Sequence, residues 1–246
     1  MWDAVAPILF PVVGWTQGRI IRIAGRTYPM GVHGFAGTRS FKIVEAAKGR
    51  LILADAADAK TRSIYPFDFG LQIAFELGAT TMTCTATVTN EGDSPMPYAF
   101  GLHPGFRWPV NADAYLTFSA REGSTVPVIT ADGLFDTARR SLPFDGLDLP
   151  LTPELMSREA LCFLDTRSSS FTYAAQDFGE LRLAHENFDH LALWSRPPAP
   201  FLCLESWTGH GDPAGFSGDL ADKPSMRILP PGATARHAAR YDFTAP

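Results

Sequence analysis

The chain has 246 residues, a formal net charge of −5 and 46% hydrophobic residues, which are the proportions of an ordinary globular protein rather than of a disordered or fibrous one. The negative charge offers no basic surface for phosphates, so we expect no nucleic-acid partner. No apolar run reaches roughly eighteen residues, and the start Met1-Trp2-Asp3 lacks a basic region followed by an apolar one, which together predict a cytoplasmic protein that enters no membrane.

Turn-forming residues divide the sequence into many short apolar runs. The chain contains 21 Gly, 20 Pro and 18 Phe and no internal repeat, a texture typical of many strands joined by turns. We therefore predict a mainly β protein, with residues 1–246 in one large antiparallel β-sandwich domain. The three cysteines, Cys84, Cys162 and Cys203, are odd in number and far apart, so we interpret them as small core residues.

The first predicted elements flank a loop that carries a histidine. Residues 19–28 predict two short strands around Ala24-Gly25. The glycines of residues 31–35 then predict a loop, and this loop contains His33.

The clearest strand signal comes next. Apolar residues occupy every second position of residues 67–77, which predicts a half-buried strand. Threonine alternates with apolar residues over 81–89, so this segment should form a hairpin with the first. A third strand over residues 98–103 is predicted to extend the hairpin into a three-stranded meander.

The second half of the chain gives weaker signals. Residues 113–150 are rich in turn formers, and their sequence does not predict the order of the strands within this region. Thr152 followed by Pro153 predicts the start of a short helix that runs to Ala160. Further strands are predicted at residues 161–163, 171–174, 181–184, 191–194, 201–207 and 235–243.

Glu205 is an acidic residue in the otherwise apolar segment 201–207. A period of two places it on the same face as Cys203 and Trp207. Burial disfavours the ionised carboxylate and raises its pKa, which suits a general base that works near neutral pH. A structural ion pair with an arginine would explain the same pattern equally well.

His103 ends the predicted third strand. It shares a face with Ala99 and Gly101, and these small neighbours leave room for a ligand. A histidine in this position can donate a proton in a saccharide pocket. A hydrogen-bonded structural histidine is the commoner explanation of such a residue.

Together these two residues suit the interconversion of the α and β anomers of a sugar. That reaction removes the proton of the anomeric hydroxyl while the ring oxygen is protonated, so that the ring opens and recloses. One base and one acid suffice, and we therefore expect no cofactor and no metal. The reactive atoms of Glu205 and His103 should face one cavity, separated by about the width of a sugar ring.

Three motifs, His33-Gly34-Phe35-Ala36, residues 101–106 and residues 203–209, resemble those of the aldose 1-epimerase superfamily in order and separation, particularly its LacX-like branch. The resemblance runs over nearly the whole chain. It implies a galactose mutarotase-like β-sandwich in which Glu205 is the general base and His103 the general acid. It also implies further sugar contacts from His33, Arg39 and Glu159. Three aromatic residues, Phe106, Trp194 and Trp207, are candidates for stacking on the sugar, although each could equally belong to the core.

The sequence departs from the family pattern at several points. Gly37 stands where relatives carry an arginine, and Arg39 comes two places later. Ser206 replaces the proline that normally follows the catalytic glutamate. The chain also begins at what resembles an interior point of the family's sequence. We therefore expect the opening strands to be missing, which would expose a sheet edge and favour either a homodimer or low stability.

Other functions remain open at this level. A glycoside hydrolase would need a second carboxylate opposite Glu205, and no motif supplies one as clearly as His103. A non-catalytic sugar-binding or sugar-sensing protein would use the same residues without turnover. The ligand is expected to be a monosaccharide or a sugar phosphate, and a phosphate would require arginine or lysine at the pocket mouth.

Two groups of polar residues contain side chains of the types that bind metal ions. They are His185, Glu186 and His190, and Glu205, His210 and Asp212. Neither has a specific ligand spacing, so we interpret both as polar loop residues and predict no metal site.

Overall fold

The computed structural model describes residues 6–108, 113–176 and 179–244. The expectation based on Met1-Trp2-Asp3 lies outside these ranges. The strands are β1 (Ile8–Leu9), β2 (Ile20–Ile23), β3 (Arg26–Pro29), β4 (Lys42–Ala47), β5 (Arg50–Ala56), β6 (Phe69–Leu77), β7 (Thr81–Asn90), β8 (Met96–Tyr98), β9 (Gly101–Leu102), β10 (Gly105–Arg107), β11 (Ala114–Phe118), β12 (Thr125–Ile129), β13 (Phe135–Ser141), β14 (Asp148–Pro150), β15 (Leu161–Phe163), β16 (Ser170–Ala175), β17 (Gly179–Glu186), β18 (His190–Trp194), β19 (Phe201–Trp207), β20 (Arg227–Leu229) and β21 (Thr234–Thr244). The helices are α1 (Ala59–Arg62), α2 (Pro153–Met156) and three 3₁₀ turns, Gln17–Arg19, Ala36–Thr38 and Leu220–Asp222.

Nine antiparallel strands form the larger sheet, in the order β14-β11-β16-β17-β21-β7-β6-β5-β4. The alternation of residues 67–77 works as predicted, because Phe69, Leu71 and Ile73 all point into the core. The predicted hairpin with the threonine-rich strand is confirmed as the pair β6–β7. The prediction of a mainly β, antiparallel protein is therefore confirmed.

A six-stranded antiparallel sheet forms the second layer, in the order β1-β9-β19-β18-β15, with β10 also paired to β19. The alternation in β19 gives this sheet two different faces. Leu202 and Leu204 join the hydrophobic core that also contains the inward residues of the larger sheet. Glu205 and Trp207 point the other way, into a cavity on the outer face of the six-stranded sheet.

The predicted three-stranded meander is wrong. Residues 98–103 contribute to two separate strands, β8 and β9, and neither pairs with β7. Strand β7 pairs with β6 and β21 instead. At the end of β7 the Asn90 amide donates to the backbone oxygens of Ser94 and Leu229, both at 2.8 Å, and holds the turn that leads the chain out of the larger sheet.

Further predictions from the sequence can be compared with the structure. The two short strands near Ala24-Gly25 are confirmed as β2 and β3. The hydroxyl of Thr152 caps α2 by accepting the Leu155 backbone N–H at 3.2 Å, but this helix ends at Met156 rather than at Ala160. The three cysteines are buried and unbridged, as predicted. Among the described residues, no helix has the length and apolar composition that crossing a lipid bilayer requires.

Candidate active site

A cavity of about 530 Å³ opens on the outer face of the six-stranded sheet, within the size range of small-molecule sites. Loops before β2 and after β3 and the hairpin of β12 and β13 contribute its other walls. Six of the eight site residues predicted from the sequence lie together in this cavity, namely His33, His103, Glu159, Trp194, Glu205 and Trp207.

His103 and Glu205 are in direct contact at the floor of the cavity. His103 follows β9, and the register of β9 with β19 places Leu102 opposite Ser206, so the next residue reaches Glu205. The distance from His103 Nε2 to Glu205 Oε1 is 3.2 Å. Both residues are buried, with exposed fractions of 7% and 1%.

This contact contradicts the expected spacing of a sugar ring's width between the two groups. The anomeric oxygen and the ring oxygen of a pyranose are bonded to the same carbon, so an acid and a base that serve both oxygens need not be far apart. Two neighbouring side chains at one end of the cavity therefore satisfy the requirement of the reaction.

Burial shifts both groups toward their uncharged forms. It raises the pKa of the Glu205 carboxyl well above its usual range, because a charge in a low-dielectric site is poorly solvated. Burial and repulsion from His33 together lower the pKa of His103 to about 3. The pair thus holds one exchangeable proton over a wide pH range, and these directions place that proton on Glu205.

Trp207 holds the other oxygen of the carboxyl group. Its indole N–H donates to Glu205 Oε2 at 3.1 Å, two residues along the same face of β19. The ring fits closely over Gly101, where a Cβ atom would lie 2.9 Å from Trp207 Cδ1. Trp207 therefore orients the candidate base, a contact that the stacking role implied by the family resemblance did not include.

His33 is fixed by two hydrogen bonds to Gly14. The Gly14 backbone N–H donates to His33 Nδ1 at 3.1 Å, and the His33 backbone N–H donates to the Gly14 backbone oxygen at 3.0 Å. Burial lowers the pKa of His33 to about 4, so the ring is neutral and carries its hydrogen on Nε2. His33 is thereby prepared to donate one hydrogen bond to a ligand oxygen.

Glu159 lines the same cavity as Glu205, and it contacts Arg140, which the sequence did not indicate as a site residue. Arg140 Nε lies 3.4 Å from Glu159 Oε1, and both side chains are largely buried. Arg140 comes from β13, which lies far from Glu159 in the sequence. The sequence offered no signal for this pairing because it depends on how the hairpin folds back.

Two residues expected at the sugar, Arg39 and Phe106, are not among the described residues that line the cavity. The Arg39 guanidinium contacts the Asp55 carboxylate through two nitrogens and donates to Asp58 at 3.1 Å, on a separate groove of the surface. Two acidic partners in one place draw the arginine away from the cavity. Phe106 packs toward the core, where its ring centroid lies 5.7 Å from that of Tyr241.

Further aromatic side chains complete the cavity wall. Trp15 and Phe135 line it, as does Trp194 at a centroid distance of 5.7 Å from His103. The Arg19 guanidinium covers one face of Trp15, 3.2 Å from the ring centroid, and this cation–π contact fixes the wall. Of the described residues that line the cavity, none is a lysine or an arginine.

The chain is similar in sequence to proteins of one family. The family described as Aldose 1-epimerase matches residues 3–211. The chromosomal protein LacX of Lactococcus lactis subsp. lactis is 30% identical over 259 residues, an alignment that covers 99% of this chain and 86% of that protein.

Solved structures show the same architecture. A galactose mutarotase-like protein from Lactobacillus casei superposes with a TM-score of 0.91 at 26% identity, covering 97% of this chain and 85% of that one. A galactose mutarotase related enzyme from Lactobacillus acidophilus superposes with a TM-score of 0.87 at 25% identity, covering 98% and 83%.

Proposed function

Because the chain belongs to the aldose 1-epimerase family, we propose that it is a mutarotase, which interconverts the α and β anomers of an unphosphorylated reducing sugar. The family and the fold indicate a sugar-related function of the isomerase type. The finer proposal is supported above all by the 3.2 Å contact between His103 and Glu205 inside a cavity of ligand size.

The proposed reaction uses Glu205 as base and His103 as acid. The carboxylate removes the proton of the anomeric hydroxyl while the imidazolium protonates the ring oxygen. The bond between C1 and the ring oxygen breaks, its electron pair goes to that oxygen, and C1 becomes an aldehyde. After rotation about the C1–C2 bond the same steps run backwards on the other face of the carbonyl, and each proton returns to its donor.

The shared proton is well placed for this chemistry. Burial favours a protonated Glu205 and a neutral His103. Moving that proton across 3.2 Å produces the carboxylate base and the imidazolium acid with no net uptake from solvent. Hydroxyl groups of a bound sugar would hydrogen-bond to the charged form and so favour this transfer.

The remaining cavity residues supply the contacts that a sugar requires. His33 can donate from Nε2 to a sugar oxygen, and Glu159, held by Arg140, can accept from hydroxyl groups. Aromatic faces such as that of Trp194 suit the C–H groups of a pyranose. This mixture of an apolar wall and a few polar groups is typical of a small-molecule site.

The charges of the cavity favour a neutral sugar over a sugar phosphate. Two carboxyl groups, Glu159 and Glu205, line it together with two histidines whose pKa values are lowered. Arg39 is held by Asp55 and Asp58 elsewhere. A phosphate dianion would thus leave water for a site without a cationic partner among the described lining residues, and burying an unpaired charge is costly.

The proposal is tested by following freshly dissolved pure anomers by polarimetry or one-dimensional NMR, with and without protein. We expect at least one neutral aldose to equilibrate faster than its spontaneous rate and hexose 6-phosphates to show no acceleration. Equal acceleration of free and phosphorylated sugars would contradict the neutral-sugar assignment, and no acceleration across a broad panel would contradict the proposed activity.

A sugar-binding protein without turnover is the second candidate. The observation that favours it is the raised pKa of Glu205, since a protonated carboxyl is no base. In that case a sugar would raise the melting temperature, by more the tighter it binds, while leaving its own anomeric equilibration unchanged. Thermal shift and anomerisation measured on the same sugars therefore separate the two functions.

A further inference from the structure

A third potential ligand atom lies beside the candidate acid and base. His103, Cys203 and Glu205 each present one donor atom, and the imidazole nitrogen, the thiol sulfur and a carboxylate oxygen all lie within 4.8 Å of one another. All three residues are buried, and Cys203 has no exposed surface. Cys203 precedes Glu205 by two residues in β19, so the sheet's alternation places both side chains on one face.

This set of one nitrogen, one sulfur and one oxygen resembles the donor set of a protein zinc site. Zinc sites that remain open to a ligand use three protein side chains and leave the fourth position free. His103 and Glu205 line the cavity, so a fourth position there would face the space in which a sugar would bind. The thiol makes the set selective for soft or borderline cations over magnesium or calcium.

We propose that His103, Cys203 and Glu205 form a binding site for a thiophilic divalent cation such as Zn²⁺, and that the bound cation excludes the sugar. Inhibition follows from the proposed function, because the metal would occupy both the acid and the base. Binding itself does not depend on that function.

The geometry requires a small adjustment of the side chains. Ligand atoms on a tetrahedral zinc ion, at bond lengths near 2.0–2.3 Å, lie roughly 3.5 Å apart. The outermost pair must therefore approach by about 1 Å. The pair that is already in contact, His103 and Glu205, lies 3.2 Å apart and needs the least change.

Proton release accompanies the binding. Burial raises the pKa of the Cys203 thiol above its usual range, so the thiol is protonated before a cation binds. Coordination displaces the thiol proton and the proton shared by His103 and Glu205 into solvent, while the cation takes one electron pair from each ligand atom. The affinity must consequently fall as the pH is lowered.

The chain contains a matched control for the cysteine. Cys162 is also buried, unbridged and on the cavity wall, and it lies two strands away in the row Cys162, Ala192 and Glu205. It is not among the three clustered residues. Cys162→Ser should therefore leave the metal site intact.

The test is a titration of the whole protein with Co²⁺, a spectroscopic substitute for Zn²⁺, followed by competition with Zn²⁺. We expect one ion per chain and an absorption band from thiolate-to-cobalt charge transfer in the wild type and in Cys162→Ser. Cys203→Ser should lose the band and bind more than about 100-fold more weakly, because loss of even an outer-shell partner of a metal site costs 10–100-fold. Cys203→Ala provides a second variant if the serine hydroxyl disturbs the core.

Absence of cobalt binding in the wild type, or a thiolate band that persists in both Cys203 variants, would overturn the proposal. Zinc should also raise the KM for the sugar without lowering kcat in the wild type, and Cys203→Ala should abolish this effect. A protein that binds cobalt but equilibrates no sugar would refute the proposed function and leave the metal site standing. A protein that equilibrates sugar but binds no cobalt would refute the metal site and leave the proposed function standing.

Discussion

Two acid–base pairs among the described residues are almost fully buried, one on the floor of the cavity and one beside residues of its wall. His103 and Glu205 contact each other at 3.2 Å on the cavity floor. Lys223 and Asp212 contact each other at 3.0 Å behind the cavity wall, where Asp212 also binds the backbone of Trp15 and Gln17. Both pairs are almost fully removed from solvent.

The two pairs differ in what burial does to the proton. The reference pKa values of histidine and glutamate lie only about 2 units apart, so desolvation suffices to move the proton to the carboxyl. Those of lysine and aspartate lie more than about 6 units apart. Burial lowers the pKa of Lys223, but its attraction to Asp212 opposes that shift. Burial of a carboxylate therefore does not by itself indicate catalysis, and the basicity of its partner decides whether the proton is mobile.

Glu205→Gln tests this difference most directly, because it removes the carboxyl group that holds the shared proton. The amide keeps the shape and can accept the Trp207 hydrogen bond, but it cannot take a proton. We expect the fold to survive and the rate of anomerisation to fall by about 10³-fold or more, as for loss of a general base. The exposed acid Glu154 supplies the control Glu154→Gln. A folded Glu205→Gln protein that retains most of its activity would remove Glu205 from the mechanism.

Lys223→Met addresses the second pair and should act on stability instead. Removing one partner of a buried ion pair leaves an uncompensated charge on Asp212 and costs about 3–5 kcal/mol. For a chain of this size that corresponds to a melting temperature lower by roughly 10 °C. The folded protein should keep kcat within about tenfold of the wild type.

The same pair allows an internal check by calorimetry. Adding Asp212→Asn to Lys223→Met removes the uncompensated charge and should restore part of the lost stability. If the double variant is as unstable as the sum of the two single variants, the pair does not stabilise the fold by mutual attraction.

The pH dependence of kcat/KM tests whether His103 and Glu205 share one proton. The active state holds one proton between His103 and Glu205. Activity should fall in acid as a second proton binds, toward the lowered pKa of His103 near 3, and fall again in alkali as the shared proton leaves above the raised pKa of Glu205. The profile is thus a bell whose two limits belong to the pair.

His103→Asn should remove the alkaline limb, because the remaining Glu205 then becomes more active as it loses its proton. The rate should fall by about 10²-fold, as expected for loss of general acid catalysis. Stopped-flow polarimetry across the pH range measures both effects. An unchanged bell in this variant would show that the limbs originate from other groups.

Arg39→Gln should have the smallest effect. Arg39 is bound to Asp55 and Asp58 outside the cavity, so KM and kcat should stay within about twofold of the wild type. Loss of a partly exposed ion pair should cost about 1 kcal/mol or less. A tenfold or larger rise in KM would instead place Arg39 at the sugar.

The local sequence pattern was sufficient to predict which side chains of a single strand share a face. The alternation of residues 201–207 correctly predicted that Glu205 shares a face with Cys203 and Trp207. The family resemblance then grouped His33, His103 and Glu159 with it, and the structure brings these side chains to one cavity.

The local sequence pattern did not predict contacts between segments that lie far apart in the sequence. Residues 98–103 look like a third hairpin strand, yet their partners are β1, β19 and β20, which alternation cannot identify. Arg140 reaches Glu159 only because a hairpin folds back over the cavity. Both clusters considered as metal sites were chosen by closeness in sequence, whereas the donors that cluster in space include His103 and Cys203.

The position of β21 has a consequence for how the polypeptide acquires its shape during synthesis. This strand, the last one described, lies in the middle of the larger sheet, hydrogen-bonded to β17 on one side and β7 on the other. Until the ribosome has released it, the two halves of that sheet have no common neighbour, and the emerging chain exposes two unpaired edges. The larger sheet therefore cannot be completed before β21 has been synthesised, and chaperones that shield nascent strand edges should improve the yield of native protein.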